Sequence, residues 1–155
     1  KIQELANQIM PVDVFNLSIT PPQVIKETHE RMAKIYHSDG GPWKREYMPR
    51  TAMIFLNDDP KLSKEEQSER AREASRKALS IYWKAMQGTI DTEKVEKAVN
   101  NSLAGNPEEV AAQINEKYHP EDRLMLWFDL NNHNNEELKH SMKIFKEKVA
   151  PLCKS

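Results

Sequence analysis

The sequence predicts an α/β protein, rich in helix and built on about three parallel strands. Short runs of β-branched, aromatic and other large apolar residues recur at Val12–Ile19, Thr51–Leu56 and Leu124–Asp129. Between them lie segments with apolar residues three and four apart, the period of an amphipathic helix. The last run, Leu124-Met125-Leu126-Trp127-Phe128, is apolar at consecutive positions, as in a strand covered on both faces. Strands that alternate with helices pair in parallel through right-handed crossovers.

Each element follows from local signals. Ile2, Leu5, Ala6 and Ile9 fall on one helical face, with no N-cap residue before them, so further chain is expected upstream. Pro11 ends that helix, and Val12–Ile19 is the first expected strand. Thr20-Pro21-Pro22 caps the next helix, whose stripe is Val24, Thr28, Met32 and Ile35 and whose stop is Gly40-Gly41-Pro42. The second strand, Thr51–Leu56, ends in the turn Asn57-Asp58-Asp59-Pro60. Ser63 and Glu66 form a capping box that opens a long helix with Ala71, Ala74, Ala78, Leu79, Tyr82 and Met86 on its apolar face, closed by Gly88.

A shorter helix around Thr92–Asn100 comes next. Gly105-Asn106-Pro107-Glu108-Glu109 then reads as a C′ glycine, an N-cap, an N1 proline and an N3 glutamate, ahead of Val110, Ala111, Ile114 and Tyr118. A last helix, capped near Asn134 with Glu137 three residues on, aligns Leu138, Met142, Phe145 and Val149 and ends at Pro151. Three strands are few for such a sheet, and its apolar edges would be open to pairing.

Composition excludes several function classes. The chain of 155 residues can hold one core, and its 23 basic and 24 acidic residues leave a net charge of −1. Nucleic-acid binders carry a basic face that this balance does not supply. No apolar run approaches the ~20 residues of a membrane helix. The one cysteine, Cys153, excludes an internal disulfide and fits a reducing, cytoplasmic compartment.

Three pieces in order resemble one family. Gly105-Asn106-Pro107-Glu108-Glu109-Val110-Ala111-Ala112-Gln113-Ile114, then Asp122-Arg123-Leu124-Met125-Leu126-Trp127-Phe128-Asp129, then Ser141 to Pro151 look like a late helix start, the last barrel strand and the closing helix of bacterial luciferase-like monooxygenases. The likeness is clearest over residues 105–151 and looser over the two earlier strand–helix units. Asn106 stands where the family often has a small hydroxyl residue, and Tyr118-His119-Pro120-Glu121 replaces a glycine-containing turn. The resemblance implies that residues 1–155 are the C-terminal section of a single TIM (β/α)8 barrel, in an enzyme using reduced FMN, or in some relatives a deazaflavin. Such an enzyme would oxidise a small organic substrate with O2. Most catalytic and flavin-phosphate groups of the family come from earlier barrel units, so the section alone is expected to be inactive.

Barrel ligands sit at the C-terminal ends of strands. By that position Asn16, Ser18 and Asn57 are candidates to hydrogen-bond a flavin ring or substrate, and Trp127 to wall the pocket; Asp58 and Asp129 share the position. The plainer reading is that Ser18 bonds neighbouring backbone and Asn57-Asp58 makes a turn. Five histidines do not add up to a metal site: His133 and His140 are seven apart, His29 and His37 are expected on helix surfaces, and His119 precedes Pro120 in a loop. Ser38-Asp39-Gly40-Gly41 lacks the lysine and spacing of a phosphate loop. There is no nucleophile elbow, Cys153 has no activating neighbour in sequence, and Lys61–Lys77 pairs opposite charges as a solvated face. Two other readings compete with the enzyme. One is a non-catalytic α/β interaction or dimerisation module; the other is a homodimer of two half-barrels.

Overall fold

Strand β1 (Arg50–Leu56) has four consecutive buried residues, Thr51, Ala52, Met53 and Ile54. Side chains alternate across a strand, so consecutive burial means that both faces are covered. β2 (Leu103–Gly105) pairs with β1 in parallel, Ile54 opposite Leu103 and Leu56 opposite Gly105. β3 (Leu124–Trp127) completes a three-stranded sheet in the order β2-β1-β3. The computed structural model describes residues 2–16, 20–128 and 134–154. Two compact units emerge: Lys1–Thr51 with Glu121–Met125, and Ala52–Pro120 with Leu126–Ser155.

In the first unit, α1 (Ile2–Asn7) and α2 (Pro22–Ile35) precede two short 3-10 turns, Ser38–Gly40 and Arg45–Tyr47. The core is Val14, Ile25, Met32 and Met48, with Ile35, Tyr36 and Trp43 packed against it. The inward stripe of α2 is Ile25, Thr28 and Met32, whereas Val24 is exposed. The expected stripe was one residue out of phase at its start: Ile25, Thr28 and Met32 keep the same three-and-four spacing, and the prolines hold the first turn at the surface. α2 also stops earlier than its glycines suggest, because Tyr36 is extended. Gly40 serves a close approach instead: a Cβ there would stand 2.5 Å from the Tyr36 ring and 2.9 Å from Pro11. Around it Tyr36 stacks on Tyr47, with centroids 5.4 Å apart, and Trp43 meets both rings edge-on.

Over its described residues the expected first strand is not a strand: it makes one isolated parallel bridge, Asn16 to Arg50, and the chain before it is irregular. Its backbone donates from Val14 to Tyr47 and from Asn16 to Pro49, and Asn16 accepts from Thr51. The same unit holds an ion triad around one buried carboxylate. Asp122, with a side chain 1% exposed, accepts from Arg45 Nε at 2.8 Å and Arg50 Nη1 at 3.1 Å. Beside it the Arg50 backbone N–H donates to the Arg123 carbonyl.

In the second unit, α3 (Lys64–Gln87) starts at the expected capping box and ends at Gly88, which takes the left-handed φ of 75°. α4 (Thr92–Asn101) packs on it, and Met53, Leu79, Val95, Ala98 and Val99 form the core between strand and helices. The inward face of α3 runs Ser68, Ala71, Ser75 and Leu79; Ala74 and Met86 are exposed. Two serines occupy positions that sequence assigns to solvent, because Ser75 shares a 3.1 Å hydrogen bond with Ser102 inside the core.

Gly105 is not a helix C′ residue but the end of β2. The signal was hidden because three residues directly after a helix carry no period of their own. Nor is the outer edge of β2 open. The Gln113 side chain donates to the Ala104 carbonyl at 3.0 Å and accepts from its N–H at 3.2 Å, satisfying the backbone groups that point away from β1. β3, by contrast, is covered on one face only: Leu124 and Leu126 are half-buried, while Met125 and Trp127 are exposed. The expectation of two covered faces fails there: alternate residues of β3 stay exposed, although β2, the other edge strand, is buried throughout.

α5 (Pro107–Lys117) buries Val110, Ala111 and Ile114 as its pattern requires. α6 (Asn135–Ile144) opens at the Asn134 cap and passes into a π turn, Phe145–Val149, then a 3-10 turn, Ala150–Leu152. A π turn brings residues five apart to one side. Ile144 and Val149, five apart across that turn, are both buried; Val149 is on the predicted stripe, whereas Met142, also on it, is 53% exposed.

Removing one member of a buried ion cluster leaves charge without compensation. Asp122→Ala should therefore cost about 3 kcal/mol in urea unfolding; a loss below about 0.5 kcal/mol, the scale of an ordinary surface change, would deny the triad a structural role.

Candidate functional site

Parallel sheets bind ligands beyond the C-terminal ends of their strands. In the second unit β1 and β2 end side by side, and the Asn57 N–H donates to the Gly105 carbonyl at 3.3 Å. Two polar arrangements grow from these ends.

One begins with Asn106, directly after β2. Its side-chain oxygen accepts from the Glu109 N–H at 2.9 Å, capping α5, while its amide nitrogen donates to Ser68 Oγ at 3.0 Å and the Lys64 carbonyl at 3.2 Å. Its backbone N–H also donates to Ser68 Oγ at 3.2 Å. A single asparagine thus caps one helix and ties it to another. Over this joint lies an open cleft of about 440 Å³, lined by Lys64, Glu65, Ser68, Glu69, Arg72, Asn106 and Glu109.

A helix start can hold a phosphate, but these residues do not fit one. Three carboxylates line the cleft against two cations. Lys64 is paired with Glu108 at 2.7 Å, and Arg72 is paired with Glu109. The hydrogen bond from Lys64 holds the Glu108 carboxyl below its usual range, and hence negative, in the first turn where a phosphate would have to sit.

The other arrangement is centred on Asp58, whose side chain is 16% exposed. It accepts from Lys148 Nζ at 2.7 Å on one oxygen and lies 3.2 Å from His140 Nε2 on the other. Burial alone would raise the Asp58 pKa; the hydrogen bonds and charges of Lys148 and His140 outweigh it and hold the carboxyl below its ordinary range. The same contact raises Lys148. This carboxylate fastens the loop after β1 to α6 and the π turn.

The candidates read from sequence have different fates. Asn57 makes the turn that its residue type suggests, its side-chain oxygen accepting from the Asp59 N–H at 3.1 Å. Asn16 is registered to the first residue of β1, whereas Asn57 follows the last, so the two are not neighbours at one strand end. The Asn16 residue is 7% exposed, and its Nδ2 has no hydrogen-bond partner among the described residues. Trp127 is 47% exposed at the end of β3. Ser18, Asp129 and His133 lie outside the described residues.

Sequence reasoning gave His140 no partner, since its contact with Asp58 spans 82 residues. Asn106 was legible as a cap, but its tie to Ser68 was not. His29 is no surface residue: it accepts from Trp43 Nε1 at 3.1 Å and packs edge-on against that ring. Burial pushes the Cys153 thiol up, away from a nucleophile's range. Among the described residues no group of three or more histidines, cysteines and carboxylates is placed to hold a metal. No helix among them is long and apolar enough to cross a membrane.

No family model and no curated protein matches the chain. Solved structures do. The monooxygenase RslO1 from Streptomyces bottropensis is similar over 97% of this chain and 43% of its own, with a TM-score of 0.70 and 19% identity. A type II Baeyer-Villiger monooxygenase, the oxygenating constituent of 3,6-diketocamphane monooxygenase from the CAM plasmid of Pseudomonas putida, is similar over 99% of this chain and 46% of its own. Its TM-score is 0.59 at 16% identity, and that structure is a complex with FMN. The chain spans less than half the length of either. At such identities the likeness is one of fold, and it bears out the expected class: α/β with parallel strands, as in a section of a (β/α)8 barrel.

Two outcomes follow from this geometry. Asn106→Ala should lose about 1–2 kcal/mol in chemical unfolding, because it removes a cap and the tie to Ser68 together; Asn106→Ser, which keeps an uncharged capping oxygen, should lose less. The lowered Asp58 pKa stabilises the fold above the unfolded-state value, near 3.9, and that stabilisation disappears as pH falls through the folded-state pKa. The stability gap between the parent chain and Asp58→Asn should therefore hold from about pH 7 to 5 and narrow below about pH 4. A gap that stays constant to pH 2 would argue against an ionised Asp58 as the fastener.

Proposed function

We propose that this chain is the C-terminal section of a flavin-dependent, luciferase-like monooxygenase that uses reduced FMN and O2 to oxidise a small organic substrate. The observation that carries the proposal is the likeness of nearly the whole chain to parts of two monooxygenases, one of them complexed with FMN. The motifs at residues 105–151 support the same reading. When bound, reduced flavin supplies the electrons by which O2 oxidises the substrate; the protein's part is to bind, orient and exclude water.

The residues of this chain divide the task unevenly. The cleft over Asn106 does not fit the phosphate of FMN, and in this reading the phosphate is held by chain beyond these 155 residues. Asn16 suits the flavin ring or a substrate carbonyl better, because its buried amide lacks a partner among the described residues and would gain one from a bound acceptor. Ser18, Asn57 and Trp127 are the remaining proposed contacts at strand ends. The section alone is proposed to be inactive, to reside in the cytoplasm and to associate as a homodimer.

A second reading, a non-catalytic interaction module, is favoured by the exposed large apolar residues of α1, Ile2 at 85% and Leu5 at 61%. Titrating FMN and riboflavin against the 155-residue chain and against a longer polypeptide from the same gene, read by flavin fluorescence, separates the two. The flavoenzyme reading expects binding by the longer polypeptide, with FMN preferred over riboflavin, and little or none by the section alone. Absence of flavin binding in both would favour the interaction module.

A further inference from the structure

The outer edge of β2 is paired to a side chain where a strand could lie. The Gln113 carboxamide of α5 donates to the Ala104 carbonyl at 3.0 Å and accepts from the Ala104 N–H at 3.2 Å. Those are the two backbone groups by which a parallel neighbour would engage this residue.

β3, on the other side of the sheet, is placed below what its sequence requires. Its run Leu124–Phe128 is apolar at consecutive positions, the pattern of a strand covered on both faces. Beside β1 it leaves Met125 51% and Trp127 47% exposed. β2 is buried throughout and touches both α3 and α5. The connection from β2 to β3, residues 106–123, holds one helix, α5. Its length and content are those of a crossover between adjacent parallel strands, yet in the observed order it passes over β1. Two features hold that order. Arg45 and Arg50 grip Asp122, two residues before β3, beside the Arg50 N–H that donates to the Arg123 carbonyl at 2.9 Å. Gln113 fills the edge of β2.

We propose that Gln113 is a strand-edge latch: while its carboxamide holds Ala104, β3 stays on β1, and when it leaves, β3 pairs along β2 in its place. The proposal rests on the barrel-section reading above, in which consecutive strands are neighbours. The exchange keeps both Ala104 groups bonded, because a peptide strand offers the donor and the acceptor that a primary carboxamide offers. It also moves Met125 and Trp127 beside a strand that is buried throughout. Its cost falls on the Arg50–Arg123 bond and the grip on Asp122. With bonds lost and gained nearly in balance, one side chain can decide the order.

The test replaces Gln113 in the 155-residue chain by Leu, which removes the carboxamide, and separately by Asn, one methylene shorter. Amide hydrogen exchange is followed at Ala104 and Arg50. In a Cys153→Ser, Met125→Cys background, thiol alkylation reports the exposure of β3. In both variants the Ala104 amide should stay protected, the Arg50 amide should exchange about tenfold faster, and the thiol at position 125 should be alkylated several-fold more slowly.

An Ala104 amide that loses its protection while Arg50 keeps its own overturns the latch and leaves Gln113 as a cap on the edge. Alkylation that is unchanged or faster in a folded variant overturns it as well. Where one variant unfolds, the other decides; unfolding of both shows that no strand replaces the side chain, and the proposal fails. The flavin titration is independent of these readouts, so flavin binding by the longer polypeptide beside a failed exchange test would sink the latch alone.

Discussion

Burial of β1 on both faces is the constraint from which much of the architecture follows. A strand with consecutive buried residues from Thr51 to Ile54 needs cover on each side, and turns between antiparallel neighbours do not provide it; crossover helices do. Met53 is met by Leu79 of α3 and by Val95, Ala98 and Val99 of α4. These helices then deliver the chain to β2, whose parallel register with β1 brings Leu56 beside Gly105. The polar residues after those two strands share one end of the sheet for that reason.

That end is held by side-chain hydrogen bonds between elements. Asn106 bonds α3 and α5 together through Ser68, Lys64 and Glu109, and Asp58 draws His140 and Lys148 to the loop after β1. Both joints use polar atoms that would be costly to bury without partners, so each holds its elements in one arrangement. Their chemistry also sets a limit. Lys64 and Arg72, the two cations lining the cleft at the start of α5, are already paired to carboxylates, which disfavours an anionic ligand there despite the helix dipole.

The legible parts of the fold were those whose cause is local. Ser63 with Glu66, Asn106 with Glu109, and Asn134 cap helices because an N-cap needs only residues three positions apart. Gly88 ends α3 because a left-handed residue is needed one step past a helix. Misreadings came where a distant partner decides. Ser68 and Ser75 face inward because Asn106 and Ser102 meet them there. β2 exists because β1 lies beside it, and Ile144 is buried where the stripe named Met142, while Val149 is buried as the stripe expects. Of the candidate site, the residue types at the strand ends could be named from sequence. The pairing of Asp58 with His140 and Lys148 could not, since it spans 82 and 90 residues.

By itself the sequence determined the second and third expected strands, the starts of α3, α5 and α6 and the resemblance at residues 105–151, because periodicity, capping and motif order act over a few residues. Only the tertiary structure decided which face of each element is covered. It turned Gln3 and Asn7 of α1 inward and Ile2 and Leu5 outward, closed the edge of β2 with Gln113 and left one face of β3 open. A helical pattern states that two faces differ. Which of them finds a partner depends on the surfaces that the rest of the chain brings to it.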